Sequence, residues 1–262
     1  MYINDYLIYF ALHKTGCTHV LKLFNNIPGL NGKEIGKHNN IYDVPAAALS
    51  DFEKKIKCGN VRNPWNWYVS LWAFGCMKKG GLYDQLARKS FLRKIKKPTL
   101  FFESKNEWQI VYANHEDPAL FRRWLKMVLV EKRNEIAGFG NNSIPDFMGL
   151  MTYRYLHLYT YHFEQDAQLI KQIDDITAFD RKNNFINFFI RNENLEADFA
   201  DLVRTAGIMY DAIENTKKIS KTNTSNRTHY SAYYDEETRL LVAEQEQFII
   251  KKHSYEFNND SA

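Results

Sequence analysis

Tyr6-Leu7-Ile8-Tyr9-Phe10-Ala11-Leu12, running directly into His13-Lys14-Thr15-Gly16-Cys17-Thr18, decides how this chain is read. The first seven residues form a near-continuous apolar and aromatic run, the signature of a strand buried on both faces as in a parallel sheet. Residues 18–26 then read as a helix, stopped by Ile27-Pro28-Gly29. A strand that ends in Lys-Thr-Gly-x-Thr and turns into a helix exposes main-chain N–H groups at the helix start. Those groups and the helix dipole together favour an anion. Gly16 lets the backbone come close to it. Lys14 adds a point charge, and the Thr15 and Thr18 hydroxyls can donate hydrogen bonds.

The same pattern recurs further along. Residues 56–61 read as a strand, Arg62 ends it, and Asn63-Pro64 opens a helix over 64–74 with proline in its tolerated first turn. Arg62 offers a forked, permanently charged hydrogen-bond donor to a phosphate. Ser70 lies about two turns into that helix, a spacing that turns its hydroxyl toward the side of the strand end. Two such turns suit a nucleotide held by phosphates at both ends of its ribose. The Walker A pattern is absent, because Lys14 precedes Gly16 and no glycine lies five residues before it. No apolar strand ends in a magnesium-binding aspartate either, which weakens an ATP-dependent P-loop kinase.

Around these two stretches the chain predicts a short second strand at 34–37 and a helix over 45–55. The alternation of strands and helices argues for an α/β fold with a central parallel sheet flanked by helices. Residues 76–165 are less regular, with helices predicted over 118–132 and 147–163, and read as a mainly helical insertion over the sheet's C-terminal edge. Strand-like sequence returns at 185–190. Asn192 is then set to cap a helix whose Leu195, Phe199, Leu202 and Val203 share one apolar face. A basic loop over 217–227 precedes a last helix predicted over 235–252, with acidic residues in its first turn and lysines in its last. One domain over 1–257 and a disordered tail over 258–262 complete the expectation.

Composition narrows the class. At 262 residues with 45% hydrophobic and 25% charged residues, the chain reads as a soluble globular protein. Its aromatic content, 15%, points first to a core filled with rings. A net charge of +4, with basic and acidic residues interleaved, suits anionic ligands and argues against nucleic acid. Cys17, Cys58 and Cys76 describe neither a disulfide framework nor a metal site, so free thiols in a reducing compartment are expected. No signal peptide or membrane-length apolar run is apparent, which predicts a cytoplasmic protein without stable membrane insertion.

Taken together the islands resemble the sulfotransferase superfamily, and more closely its bacterial and carbohydrate-type branch. That branch carries a P-K-T-G-[GS]-T-S loop and an [LVF]-R-[ND]-P-x-x-R-x-[VL]-S segment, matched here by 13–19 and 61–70. Phe189 to Phe199 and Tyr230 to Asp235 also look like that branch. His13, Cys17, His19 and Trp67 depart from its pattern, whereas Lys14, Thr15, Gly16, Thr18, Arg62 and Ser70 keep it.

The resemblance implies a P-loop-like fold and 3′-phosphoadenosine 5′-phosphosulfate as donor, with adenosine 3′,5′-bisphosphate as product and no metal. Lys14, Thr15, Gly16, Cys17 and Thr18 would hold the 5′-phosphate, with Lys14 meeting the charge on the leaving oxygen. Arg62 and Ser70 would hold the 3′-phosphate, and Asn226 and Arg227 would fold over the nucleotide. His38 is the expected general base, with His13, His19 and Glu34 as rivals. His115, His157, His162, His229 and His253 read as peripheral or structural by default, with lining of an acceptor cleft the other reading for His157 and His162. The acceptor is expected to be a small molecule or glycan. A catalytically silent nucleotide-binding scaffold and an ATP-dependent kinase stand as alternatives.

Overall fold

The structure, a computed structural model, describes residues 1–44, 49, 51–88, 106–209 and 228–258. In chain order its main elements are β1 (Tyr2–Ile3), β2 (Leu7–Phe10), α1 (Cys17–Asn25), β3 (Lys33–Glu34), β4 (Ile56–Val61), α2 (Pro64–Cys76), α3 (Pro118–Lys126), α4 (Leu150–Tyr159), α5 (Ile173–Asn183), β5 (Phe188–Arg191), α6 (Leu195–Thr205), α7 (Glu236–Gln245) and α8 (Gln247–His253). The chain divides into two compact units, one made of Met1–Asn63, Arg154–Leu169 and Asp174–Asn226, the other of Pro64–Tyr153, Ile170–Ile173 and Arg227–Ala262. The stretch read as an insertion falls largely in the second unit, which also takes α2 and the C-terminal helices.

The first unit is α/β. Its sheet has the order β3-β1-β2-β4-β5 and is mixed. β2, β4 and β5 run parallel, with Phe10 opposite Gly59 and Val61 opposite Arg191. β1 and β3 run antiparallel at one edge. A wholly parallel sheet is therefore corrected, and so is the part given to the second predicted strand, which is a two-residue edge strand. The cause is local. The Asn4 side chain accepts the N–H groups of Tyr6 and Leu7, at 2.8 and 2.9 Å, and this Asx turn folds β1 back along β2.

Burial follows the sequence pattern. All four residues of β2 are buried, and Tyr9, Val20, Leu23, Phe24, Phe199 and Leu202 join one core between the sheet, α1 and α6. The apolar face of α6 is buried as expected. Its start is not capped by Asn192. Asp198 instead accepts the Arg191 N–H at 2.8 Å and both arms of the Arg191 guanidinium. At 45–55, the described residues Phe52–Lys54 form a 3₁₀ turn after Asp51 in a left-handed conformation, so no helix runs on to Lys55.

The second unit is helical and aromatic. α2 buries Trp65, Trp67, Tyr68 and Trp72 among other residues. The Trp72 ring meets Phe121 and Tyr233 edge-on, and its Nε1 donates to the Val111 carbonyl at 2.7 Å. Here the high aromatic content is core. The predicted last helix is two helices, α7 and α8, broken at Glu246. Asp235 belongs to a capping box ahead of α7. Asn258, read as tail, donates its N–H to Tyr230. The three cysteines are free. Among the described residues, no helix is long and apolar enough to cross a membrane.

Candidate anion-binding site

Three parallel strands bring their following residues to one edge of the first unit, the place where open α/β sheets present ligand sites. The loop after β2, Arg62 and Asn63 after β4, and Asn192 and Glu193 after β5 meet there. The Arg62 guanidinium donates to the Lys14 carbonyl at 2.9 Å, and the Asn63 N–H donates to the Glu193 carboxylate at 2.8 Å. The two stretches singled out in the sequence are thus joined by a direct bond.

The loop has the backbone that such a site requires. Gly16 has φ +84°, and a Cβ there would come within 2.7 Å of Leu195 and 2.9 Å of the Asn192 side-chain oxygen. The angle is one that L-residues rarely adopt, and a side chain there would also have to displace Leu195 and Asn192. Lys14 sits at φ +62° and His38 at +68°, conformations that cost an L-residue about 1 kcal/mol and that cluster at functional sites. Cys17 carries its Cβ without penalty because it is the first residue of α1 and points into the core. Among the described residues the main-chain N–H groups of Gly16, Cys17 and Thr18 meet no acceptor. They are the unsatisfied groups of a helix start.

Cationic residues belong to this edge. Lys14 is on the loop itself, Arg62 grips its carbonyl, and Lys37 donates from its ammonium group to the Thr18 hydroxyl at 3.1 Å. The charge of Arg154 reaches His13 and His38. Lys37 and Arg154 were not found from sequence. Lys37 adjoined His38 in an exposed loop with no periodic signal, and Arg154 lay inside an aromatic helix where charge carried no pattern.

The Thr15 hydroxyl does not face the anion site as expected. The Thr15 side chain is fully buried and its hydroxyl donates to the Leu12 carbonyl at 2.7 Å. It braces the turn from behind, so what Thr15 offers an anion is its main chain. Cys17 and Thr18 keep their places at the helix start. Ser70 lies partly buried on α2 in the second unit. Asn226 and Arg227 lie outside the described residues, as does most of the basic stretch 88–97.

His38 is held by a carbonyl and a second ring. Its Nδ1 lies 2.6 Å from the Ala11 carbonyl, and its ring stacks on His13 at 3.6 Å. Burial is the main cause that pushes the His38 pKa down to about 4; the Ala11 carbonyl opposes this, and Lys37 and Arg154 add to it. At neutral pH the ring is therefore uncharged, Nδ1–H donates to Ala11, and Nε2 carries the lone pair. Burial, with Arg154 next, holds His13 far below the ordinary histidine value. Of the rival bases, His19 is buried beside Glu196 at 3.5 Å, and Glu34 is an exposed residue of β3.

A histidine whose folded pKa lies below its unfolded value contributes stability that is complete above the unfolded value and lost as pH falls toward the folded one. For His38 that window runs from the ordinary 6.5 down to about 4. After discounting for its partial exposure, about 1–2 kcal/mol is at stake. Urea unfolding at pH 7 and at pH 4.5 is expected to show a smaller acid loss in His38→Asn than in wild type. Equal losses would contradict the buried, neutral ring.

Among the described residues, no group of three or more His, Cys, Asp or Glu side chains is placed to hold a metal ion. The edge offers instead a glycine turn, free N–H groups and cations, a donor set that fits phosphate or sulfate. Comparison with family models, with curated proteins and with solved structures returned no match.

Proposed function

We propose that the chain is a sulfotransferase of the carbohydrate-type branch, with a P-loop-like sheet and a helical cover from the 76–165 region. It would move the sulfuryl group of 3′-phosphoadenosine 5′-phosphosulfate to a hydroxyl or amine. The observation that carries the reading is the joining of the two motifs: the Arg62 guanidinium bonds the Lys14 carbonyl of a glycine loop that Lys37 also reaches, with a neutral His38 beside it. The parts of Ser70, Asn226 and Arg227 rest on the sequence resemblance alone.

The residues divide the work. The main-chain N–H groups at the start of α1 and the Lys37 ammonium hold the 5′-phosphate, and Arg62 gives the charge for the 3′-phosphate. His38 Nε2 takes the acceptor proton, its Nδ1–H fixed by Ala11. Lys14 meets the charge that builds on the leaving phosphate oxygen. The donor supplies an activated sulfuryl group: its S–O bond to the 5′-phosphate breaks as the acceptor oxygen or nitrogen bonds to sulfur. The products are the sulfated acceptor and adenosine 3′,5′-bisphosphate.

Labelled donor incubated with a panel of sugars and small alcohols tests this reading. Transfer of label without added metal is expected, with bisphosphate released in equal amount. His38→Ala is expected to lower kcat by about 10²–10⁴-fold. Nucleotide binding without turnover on any acceptor would favour the silent scaffold, and magnesium-dependent use of ATP would favour the kinase.

A further inference from the structure

The first unit holds a second concavity, a cavity of about 250 Å³ whose wall includes Asn40, Tyr42, Asp43, His157, Glu164 and Gln165. We propose that it is the acceptor subsite and that it takes an amine-bearing, hydroxylated ring, a hexosamine or a molecule of that size. This inference rests on the transferase reading above. Its volume lies just below the roughly 300–1,000 Å³ of pockets for drug-sized ligands, which suits a single ring rather than an oligosaccharide.

The lining supplies the chemistry. Asp43 and Glu164 make this wall acidic, the opposite of the phosphate loop, so an ammonium is attracted and a carboxylated or sulfated sugar repelled. The exposed Tyr42 ring gives a face for the apolar side of a sugar or for an ammonium. The Gln165 side-chain amide both donates and accepts, as a hydroxylated ligand requires, while the Asn40 oxygen accepts the Tyr42 and Asp43 N–H groups and shapes the wall.

The cavity is also connected to the base. The His157 Nδ1 lies 3.3 Å from the Glu164 carboxylate, and its Nε2 lies 3.2 Å from the Asn40 amide nitrogen. Asn40 on the cavity wall lies two residues after His38, so the loop that carries the group proposed to take the acceptor proton also lines the cavity.

Saturation-transfer NMR with glucosamine, glucose and glucuronate tests the inference on wild type, Glu164→Gln and Glu164→Lys. The Glu164 side chain is largely exposed, so its replacement spares the fold. In wild type glucosamine is expected to bind at least about five-fold more tightly than glucuronate. Glu164→Gln should narrow the preference and Glu164→Lys reverse it, with affinity for adenosine 3′,5′-bisphosphate unchanged within about two-fold. Absence of sugar binding, or an order indifferent to residue 164, overturns the inference while bisphosphate binding keeps the transferase reading. The expected sugar order without bisphosphate binding overturns the transferase reading, and the acceptor role with it.

Discussion

Replacing Glu246 by alanine is expected to lower the stability of the second unit by about 3–5 kcal/mol. The carboxylate is fully buried between α7 and α8. It accepts four hydrogen bonds: from the Tyr68 hydroxyl at 2.5 Å, the Met151 and Thr152 N–H groups at 2.9 Å, and the Thr152 hydroxyl at 2.7 Å. Two of these donors are orphan N–H groups at the start of α4, so Glu246 caps a helix that is remote in sequence. Burial raises its pKa and the four donors pull it back. Alanine would leave all four donors in a dry core, each costing about 1–3 kcal/mol before water or relaxation recovers part of the loss. Gly149 makes room for the arrangement, since a Cβ there would come within 2.2 Å of the carboxylate. The thermal midpoint is expected to fall by roughly 10 °C in Glu246→Ala. A drop of less than about 2 °C would contradict the cap.

Lys14→Ala is expected to lower the transfer rate by about 10²–10³-fold, the effect typical of removing one group that stabilises developing oxyanion charge. Bisphosphate affinity should fall less, because the N–H groups at the start of α1 and Lys37 remain. Arg62→Ala should show the converse. It removes the charge proposed for the 3′-phosphate and also frees the Lys14 carbonyl, so affinity should drop at least ten-fold. The split between rate and affinity separates these roles. Equal effects of both substitutions on affinity alone would contradict the part given to Lys14.

Much of the first unit was legible because its signals are local. The apolar run of β2, the bounds of β4 and the apolar face of α6 follow from period and composition. Gly16 was found because a close approach at a strand–helix turn calls for glycine. The antiparallel edge was missed although Asn4-Asp5 between two apolar stretches is a turn signal. The Thr15 hydroxyl was misread because sequence gives the residue type and not the direction of its rotamer. Lys37 reaches Thr18, and the charge of Arg154 reaches His13 and His38, only through the fold, which leaves no mark on neighbouring residues. Glu246 was read as one more residue of a long helix. Its helix breaks because the carboxylate serves another part of the chain, a demand invisible in the local pattern.

The most direct test of the account is calorimetric titration with adenosine 3′,5′-bisphosphate, in parallel with ATP plus Mg²⁺, on wild type and Arg62→Ala. Metal-independent binding of the bisphosphate is expected, weakened at least ten-fold, about 1.4 kcal/mol, by Arg62→Ala. No bisphosphate binding, or tight magnesium-dependent binding of ATP in its place, would contradict it.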